Sequence, residues 1–282
     1  MRRRQIHEHH SPYHRLRVTE DGSIRVLRFE HNPQSSMMLD DPYETDFEYP
    51  GYFHLALAVK PEATRTLVIG LGGGSVVKRM WRDYPNMQLD VVELDAAVVK
   101  IAHKFFSLPK DERIRVIVGD GRRFLSLAEE TYDVIIVDAF DDDTVPRQLI
   151  TEEFIRLARE RLAPDGVLAY NFIGTVSGDR SRPFRSLYRT ARNVFRQVWV
   201  FPVTPNDWLV LTPQRNIILL ATDVVFGSDV LLGRIEDRVG GRVTVPGFER
   251  FGDDLYELPI RSGDVPFLLD ETRDGRRGRH AR

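Results

Sequence analysis

The chain has no cysteine among its 282 residues. Disulfides and thiol chemistry are therefore excluded, which fits a reducing compartment. Neither sign of charge dominates. Forty Lys and Arg stand against 42 Asp and Glu, a formal net charge of −2. Without a basic field to attract phosphates, a nucleic-acid partner is not expected. No apolar run reaches the roughly 18 residues of a membrane span, so no membrane partner is expected either. The opening MRRRQIHEHH is basic but lacks the apolar segment of a secretory leader. The expected address is the cytoplasm. The histidines from His7 to His10 read as part of a loose polar start rather than a metal site, so no metal is expected. Hydrophobic residues make up 42% of the chain, enough to bury a full core in one large domain or one domain with a small appendage.

Five segments follow from the patterning. Residues 1–10 read as a flexible start. Residues 11–60 read as an N-terminal β-hairpin unit, with two alternating runs around Asp21-Gly22. Its last stretch, YFHLALAVK, has the apolar character of a helix. Residues 61–225 alternate apolar strands with amphipathic helices. That pattern predicts a Rossmann-like α/β domain whose largely parallel sheet is covered on both faces. The two final strands, QVWVFPV and RNIILLATD, are joined by a loop without a helix, so they are expected to be antiparallel. Such a closing pair belongs to a class I methyltransferase-type sheet. Residues 226–270 read as a mixed C-terminal extension and 271–282 as a basic flexible tail.

The first strand of this domain runs into GLGGGS, which contains Gly70, Gly72, Gly73 and Gly74. Glycines there allow a sharp turn and the close approach of a ligand to the backbone. The next three strands each end in an acid. Glu93 lies about 20 residues beyond the glycines, where a carboxylate can accept hydrogen bonds from both ribose hydroxyls. Asp120, in GDG with Gly121, can accept from an adenine amino group or cap the following helix. Asp138 ends the strand after that. A dinucleotide site usually has G-x-G-x-x-G, but here Val77 stands in place of the third glycine. An acidic rim also suits a sulfonium cation better than a second phosphate. S-adenosylmethionine, or its decarboxylated relative, is therefore preferred over NAD as co-substrate.

With these motifs in place, the sequence resembles the spermidine synthase family, the polyamine aminopropyltransferases, from about Ser11 to Asp223. SPYHRLRV is similar to the family's opening strand. RFEHNPQS resembles its hairpin, with Gln34 matching a family glutamine. GLGGGS, VVELD, GDGRRFL and DGVLAYN are similar to its glycine loop, two acid-bearing segments and fifth strand. DAFDDDTVPRQLITEEF resembles its catalytic Asp-x-x-Asp loop, with Asp138 and Asp141 in the two aspartate places. The resemblance implies a homodimer with a small-molecule amine acceptor. It implies that Glu93 binds ribose and Asp120 adenine, while Asp138 and Asp141 handle the attacking amine. A carboxylate pair can hold an ammonium and accept its proton.

Several positions depart from the family. Ser75 replaces the loop aspartate that would face the donor's amino end. His14 stands for the opening glutamine, and Asn171 for a glutamine of the fifth strand. In YFHL, Tyr52 is retained, whereas Phe53 and His54 differ. His14, Tyr52, His54 and Asn171 are the expected acceptor-side residues. Aminopropyl transfer to a polyamine is the leading expectation. Methyl transfer from S-adenosylmethionine comes next because of Ser75, and a catalytically silent nucleoside-binding protein is the third.

Overall fold

The computed structural model describes residues 3–141, 144–204 and 214–271. Asp142, Asp143, most of the loop between the last two strands and the basic tail lie outside the described residues.

The chain opens with four antiparallel strands in the order β1-β2-β3-β4: β1 (Arg4–His10), β2 (Arg15–Asp21), β3 (Ile24–Phe29) and β4 (Asn32–Met38). The expected hairpin is β2–β3, turning at Gly22 with a φ of 62°. Residues 4–10 correct the expectation of a flexible start, because they pair with β2 as an edge strand. Ion pairs hold this polar edge: Arg15 to Glu8 at 2.8 Å and Arg4 to Glu20 at 2.5 Å. The inner face of the sheet is apolar. Leu16, Val18 and Leu27 pack on Val98, Ile101 and Phe106 of the main domain.

Two short helices follow, α1 (Tyr49–Tyr52) and α2 (Leu55–Val59). The main domain then alternates β5 (Arg65–Ile69), α3 (Ser75–Asp83), β6 (Gln88–Glu93), α4 (Ala96–Phe105), β7 (Ile114–Val118), α5 (Gly121–Leu127), β8 (Tyr132–Val137), α6 (Glu152–Glu160), β9 (Leu162–Gly174), α7 (Arg182–Val194), β10 (Gln197–Pro202) and β11 (Arg215–Thr222). The seven strands lie in the order β10-β11-β9-β8-β5-β6-β7. Strands β5 to β9 run parallel, and β11 is antiparallel to both neighbours, as expected for the closing pair.

Alternate residues of each strand feed two cores. Val68, Val134 and Ile136 point to one face, and Leu67, Ile69, Ile135 and Val137 to the other. Each fully buried aliphatic side chain contributes about 1.5–3 kcal/mol, so residues 61–225 cannot form a one-faced sheet. The chain leaves β5 toward β6 and β7, then returns to the other side as β8 and β9. The crevice at the carboxyl ends of β5 and β8 is thus a topological switch point, where open α/β sheets bind ligands.

The C-terminal segment joins this body. In α8 (Ser228–Glu236), Leu231 and Ile235 are buried in the same core as α2. The chain then crosses α6 and α5, where Glu152 N donates to Leu268 O at 2.7 Å and Arg122 pairs with Asp270 at 2.5 Å. Among the described residues, no helix is long and apolar enough to cross a membrane.

Candidate active site

The glycine turn is shaped by what lies against it. Gly70 has a φ of 99°, and a Cβ there would come within 2.1 Å of Asp138 O. Only glycine lets the end of β5 pass the end of β8 so closely. A Cβ on Gly73 would meet Ser35 Oγ at 2.8 Å and the Phe106 ring at 2.9 Å, so this position fits β4 against the turn. Gly70 and Gly72 line the cleft, whereas Gly73 and Gly74 do not; Gly74 is the N-cap of α3. Ser75 also lines it, but its hydroxyl is engaged. It donates to Ser36 O at 3.1 Å and meets Ser35 Oγ at 3.1 Å.

Glu93 closes the cleft at the end of β6. Its Oε2 accepts from Leu71 N and its Oε1 from Asp95 N, each at 2.9 Å. Burial pushes its pKa up, while the backbone donors oppose that rise. Each carboxylate oxygen keeps acceptor capacity for a hydroxyl. Asp120 is the helix cap of one of its two sequence readings. It caps α5, accepting from Arg123 N at 2.7 Å, and it lines the cleft together with Gly121.

Asp138 lines the cleft, and its partners Tyr49 and Asn171 line a second hollow together with Gln34, Glu48, Phe140 and Asn216. Asn171 Nδ2 donates to Asp138 Oδ1 at 3.0 Å, and Tyr49 OH donates to Oδ2 at 3.4 Å. Burial raises the Asp138 pKa to about 6 against the pull of these two donors. The carboxylate is still mostly ionised at neutral pH, yet basic enough to take a proton. Gln34 and Tyr49 line both cavities.

Four expectations need correction or refinement. The Asp138–Asp141 pair is not assembled: Asp141 is exposed, bridged through its backbone to Thr144, and absent from the cleft wall. Tyr52 donates to Asp254, stacks on Phe251 at 4.0 Å, and lines a separate hollow beside the C-terminal segment. His54 is fully buried in the core against the Tyr84 hydroxyl, and burial lowers its pKa to about 3. It is a core histidine, away from both cavities. His14 does reach the cleft, stacked on Phe29 at 4.4 Å.

Sequence reasoning missed Tyr49 and Asn216. Tyr49 carried no signal that set it apart from Tyr52, three residues on. Asn216 did carry one, as an amide opening the otherwise apolar run RNIILLAT.

Residues 51–200 match the model of the spermine/spermidine synthase domain. A polyamine aminopropyltransferase of Vibrio vulnificus is 32% identical over 207 residues, covering 70% of this chain and 67% of the relative. A probable spermidine synthase of Corynebacterium glutamicum superposes with a TM-score of 0.73 at 21% identity, over 95% of this chain and 97% of the other. A spermidine synthase crystallised with the transition-state analogue AdoDATO gives 0.69 at 19% identity, over 88% of both chains. The structural likeness shows the shared fold; by the domain match and the Vibrio relative, the chain belongs to the spermine/spermidine synthase family.

Proposed function

We propose that this chain transfers an aminopropyl group from decarboxylated S-adenosylmethionine to an aliphatic amine. The observation that carries this reading is Asp138, a carboxylate raised to about 6 in the wall of one cavity and bonded to Tyr49 and Asn171, which line a second. The cleft at the glycine turn takes the adenosyl donor, with Glu93 on the ribose, Asp120 and Gly121 at adenine, and Gly70, Gly72 and Gln34 along the chain of the donor. The second hollow takes the acceptor, flanked by Tyr49 and Asn171.

The acceptor's free amine attacks the methylene carbon next to the sulfonium. The carbon–sulfur bond breaks, its electron pair stays on sulfur, and methylthioadenosine leaves uncharged. The attacking amine is freed when Asp138 takes the proton of the acceptor's ammonium and hands it to solvent, and the product nitrogen leaves as an ammonium. Because the sulfonium is already a good leaving group, the protein's work is alignment and proton acceptance. Relatives named polyamine aminopropyltransferase support this reaction; methyl transfer and a silent nucleoside-binding role are not favoured. The same reading carries a homodimer and a cytoplasmic setting.

The test is release of methylthioadenosine from decarboxylated S-adenosylmethionine in the presence of putrescine or spermidine. Release that depends on acceptor is expected. Methyl transfer from S-adenosylmethionine to the same amines, with no aminopropylated product, would overturn the proposal.

A further inference from the structure

We propose that Asn216 is a positioning residue for the transfer, fixing the amide of Asn171 so that it donates to Asp138. The inference deepens the aminopropyl-transfer reading and rests on it for its kinetic consequence.

The geometry comes from three strands. Asp138 directly follows β8, Asn171 lies on β9, and Asn216 on β11. In the β9–β11 register Asn216 pairs with Ile173 and Ile218 with Asn171, so the two asparagines are diagonal neighbours on one face. Asn216 Nδ2 donates to Asn171 Oδ1 at 3.0 Å, and Asn171 Nδ2 donates to Asp138 Oδ1 at 3.0 Å. Asn171 is fully buried, so water cannot replace either bond without opening the wall.

The amide orientations follow from the carboxylate, which when ionised can only accept. Asn171 must turn its N–H groups toward Asp138, which leaves its carbonyl oxygen facing Asn216. The logic also runs backwards. Once Asp138 has taken a proton, its new O–H could donate to an Asn171 amide that had turned round. That turned amide would stabilise the neutral acid and raise the pKa of the base. Donation from Asn216 opposes the turn, because reversal would set N–H against N–H unless both amides moved together. Asn216 thereby keeps Asp138 on the side of the carboxylate. Strand β11 is apolar and buried from Ile217 to Ala221, and packing alone gives no reason for an amide at its start.

The ionisable groups that line the cleft of Asp138 or the hollow beside it are Tyr13 and His14 from the turn before β2, Glu48 and Tyr49 at α1, Glu93 and Asp95 at the end of β6, and Asp120 before α5. Substituting Asn216 changes none of these, so a titration shift at Asp138 reads the amide pair.

The experiment follows the carboxyl carbon of Asp138 by NMR in the unliganded protein grown with carbon-13-labelled aspartate. The resonance is identified by its loss in Asp138→Asn. Asn216→Leu is expected to raise the Asp138 titration by roughly one unit, about the effect of one hydrogen bond to a charged group. In the transfer assay the acid limb moves up by the same amount, a roughly three- to tenfold loss of turnover below pH 6, while methylthioadenosine affinity is unchanged. Asn216→Thr, which keeps a donor in a strand-compatible side chain, restores the wild-type titration. In an Asn171→Leu background, Asn216→Leu adds nothing. An unmoved titration in Asn216→Leu overturns the inference, as does an equal shift with Asn171 absent. If the titration behaves as stated but wild type transfers no aminopropyl group, the positioning stands and the functional reading alone fails.

Discussion

Asp138 and Asn171 are joined across the parallel pair β8–β9 by a bond of 3.0 Å from the Asn171 amide to the Asp138 carboxylate. Val137 and Tyr170 are partners in the same ladder, so the two functional side chains come from the next step along both strands. The proposed base therefore sits at the first step past β8, still tied to the sheet by its own N–H, which donates to Ile69 O at 2.9 Å. That is the arrangement a precisely aligned displacement needs.

Asp138→Asn removes the base and its buried charge together. Turnover should fall by about 10²–10⁴, the usual share of a general base. Stability should move the other way. The native pKa of about 6 exceeds the ordinary 3.8. The native state thus keeps a proton that the unfolded chain loses between these values. The contribution is full below the lower value and is lost as pH rises through the upper one. At about pH 7.5 the variant should be more stable by about 1–2 kcal/mol, discounted because the group is only half-buried at the cleft wall. Denaturant titration at about pH 7.5 and pH 4.5 should show that gain shrinking in acid.

Glu93→Gln keeps the shape of the side chain but removes its charge. Methylthioadenosine binding should weaken by about 1.5–3 kcal/mol, the range for hydrogen bonds to a charged group. Calorimetry reads this directly. Unchanged affinity in a folded variant would take Glu93 out of the nucleoside site.

Ser75→Asp tests the departure at the glycine turn. The native hydroxyl donates to Ser36 O, and a carboxylate has no proton to give there. A loss of about 1 kcal/mol in stability is expected. The new acid would attract the ammonium of the decarboxylated donor and repel the carboxylate of S-adenosylmethionine. Preference should shift toward the decarboxylated donor by about 1 kcal/mol or more. Competition between the two donors measures it, and an unaltered ratio counts against Ser75 as a selector.

His54→Phe separates core from site. It leaves the buried Tyr84 hydroxyl without its partner, at a cost of about 1–3 kcal/mol near neutral pH. The folded pKa of about 3 lies below the ordinary 6.5. The unfolded chain therefore gains a proton first as pH falls, and the stability held above 6.5 drains away toward 3. Thermal melts of the variant should show less of this acid sensitivity. Methylthioadenosine affinity should be untouched; a matching loss of binding would return His54 to the site.

The strand–helix order was legible because alternation and strand-end glycines are local signals. So were Glu93, Asp120 and Asp138, since chain order alone brings the ends of neighbouring parallel strands to one rim. Tyr49 was not, because one helical turn separates it from Tyr52 and only packing decides which ring meets Asp138. His54 was misplaced for the same reason: a histidine in an apolar helix can face cleft or core, and Tyr84, thirty residues away, settles which. Strand β1 lacks hydrophobic alternation altogether. Its edge is held by ion pairs to Glu8 and Glu20, which leave no periodic trace.

Ser35 of β4 fills the space that a side chain on Gly73 would take, and it meets Ser75 in the same corner. The two sheets are mortised together at the floor of the donor cleft. On the proposed reading, seating of the N-terminal sheet and grip on the donor are expected to be linked, and linkage is reciprocal. Tyr13, His14, Gln34 and Ser35 of the first forty residues form part of the cleft wall itself, so on the proposed reading the N-terminal sheet is one side of the donor's seat.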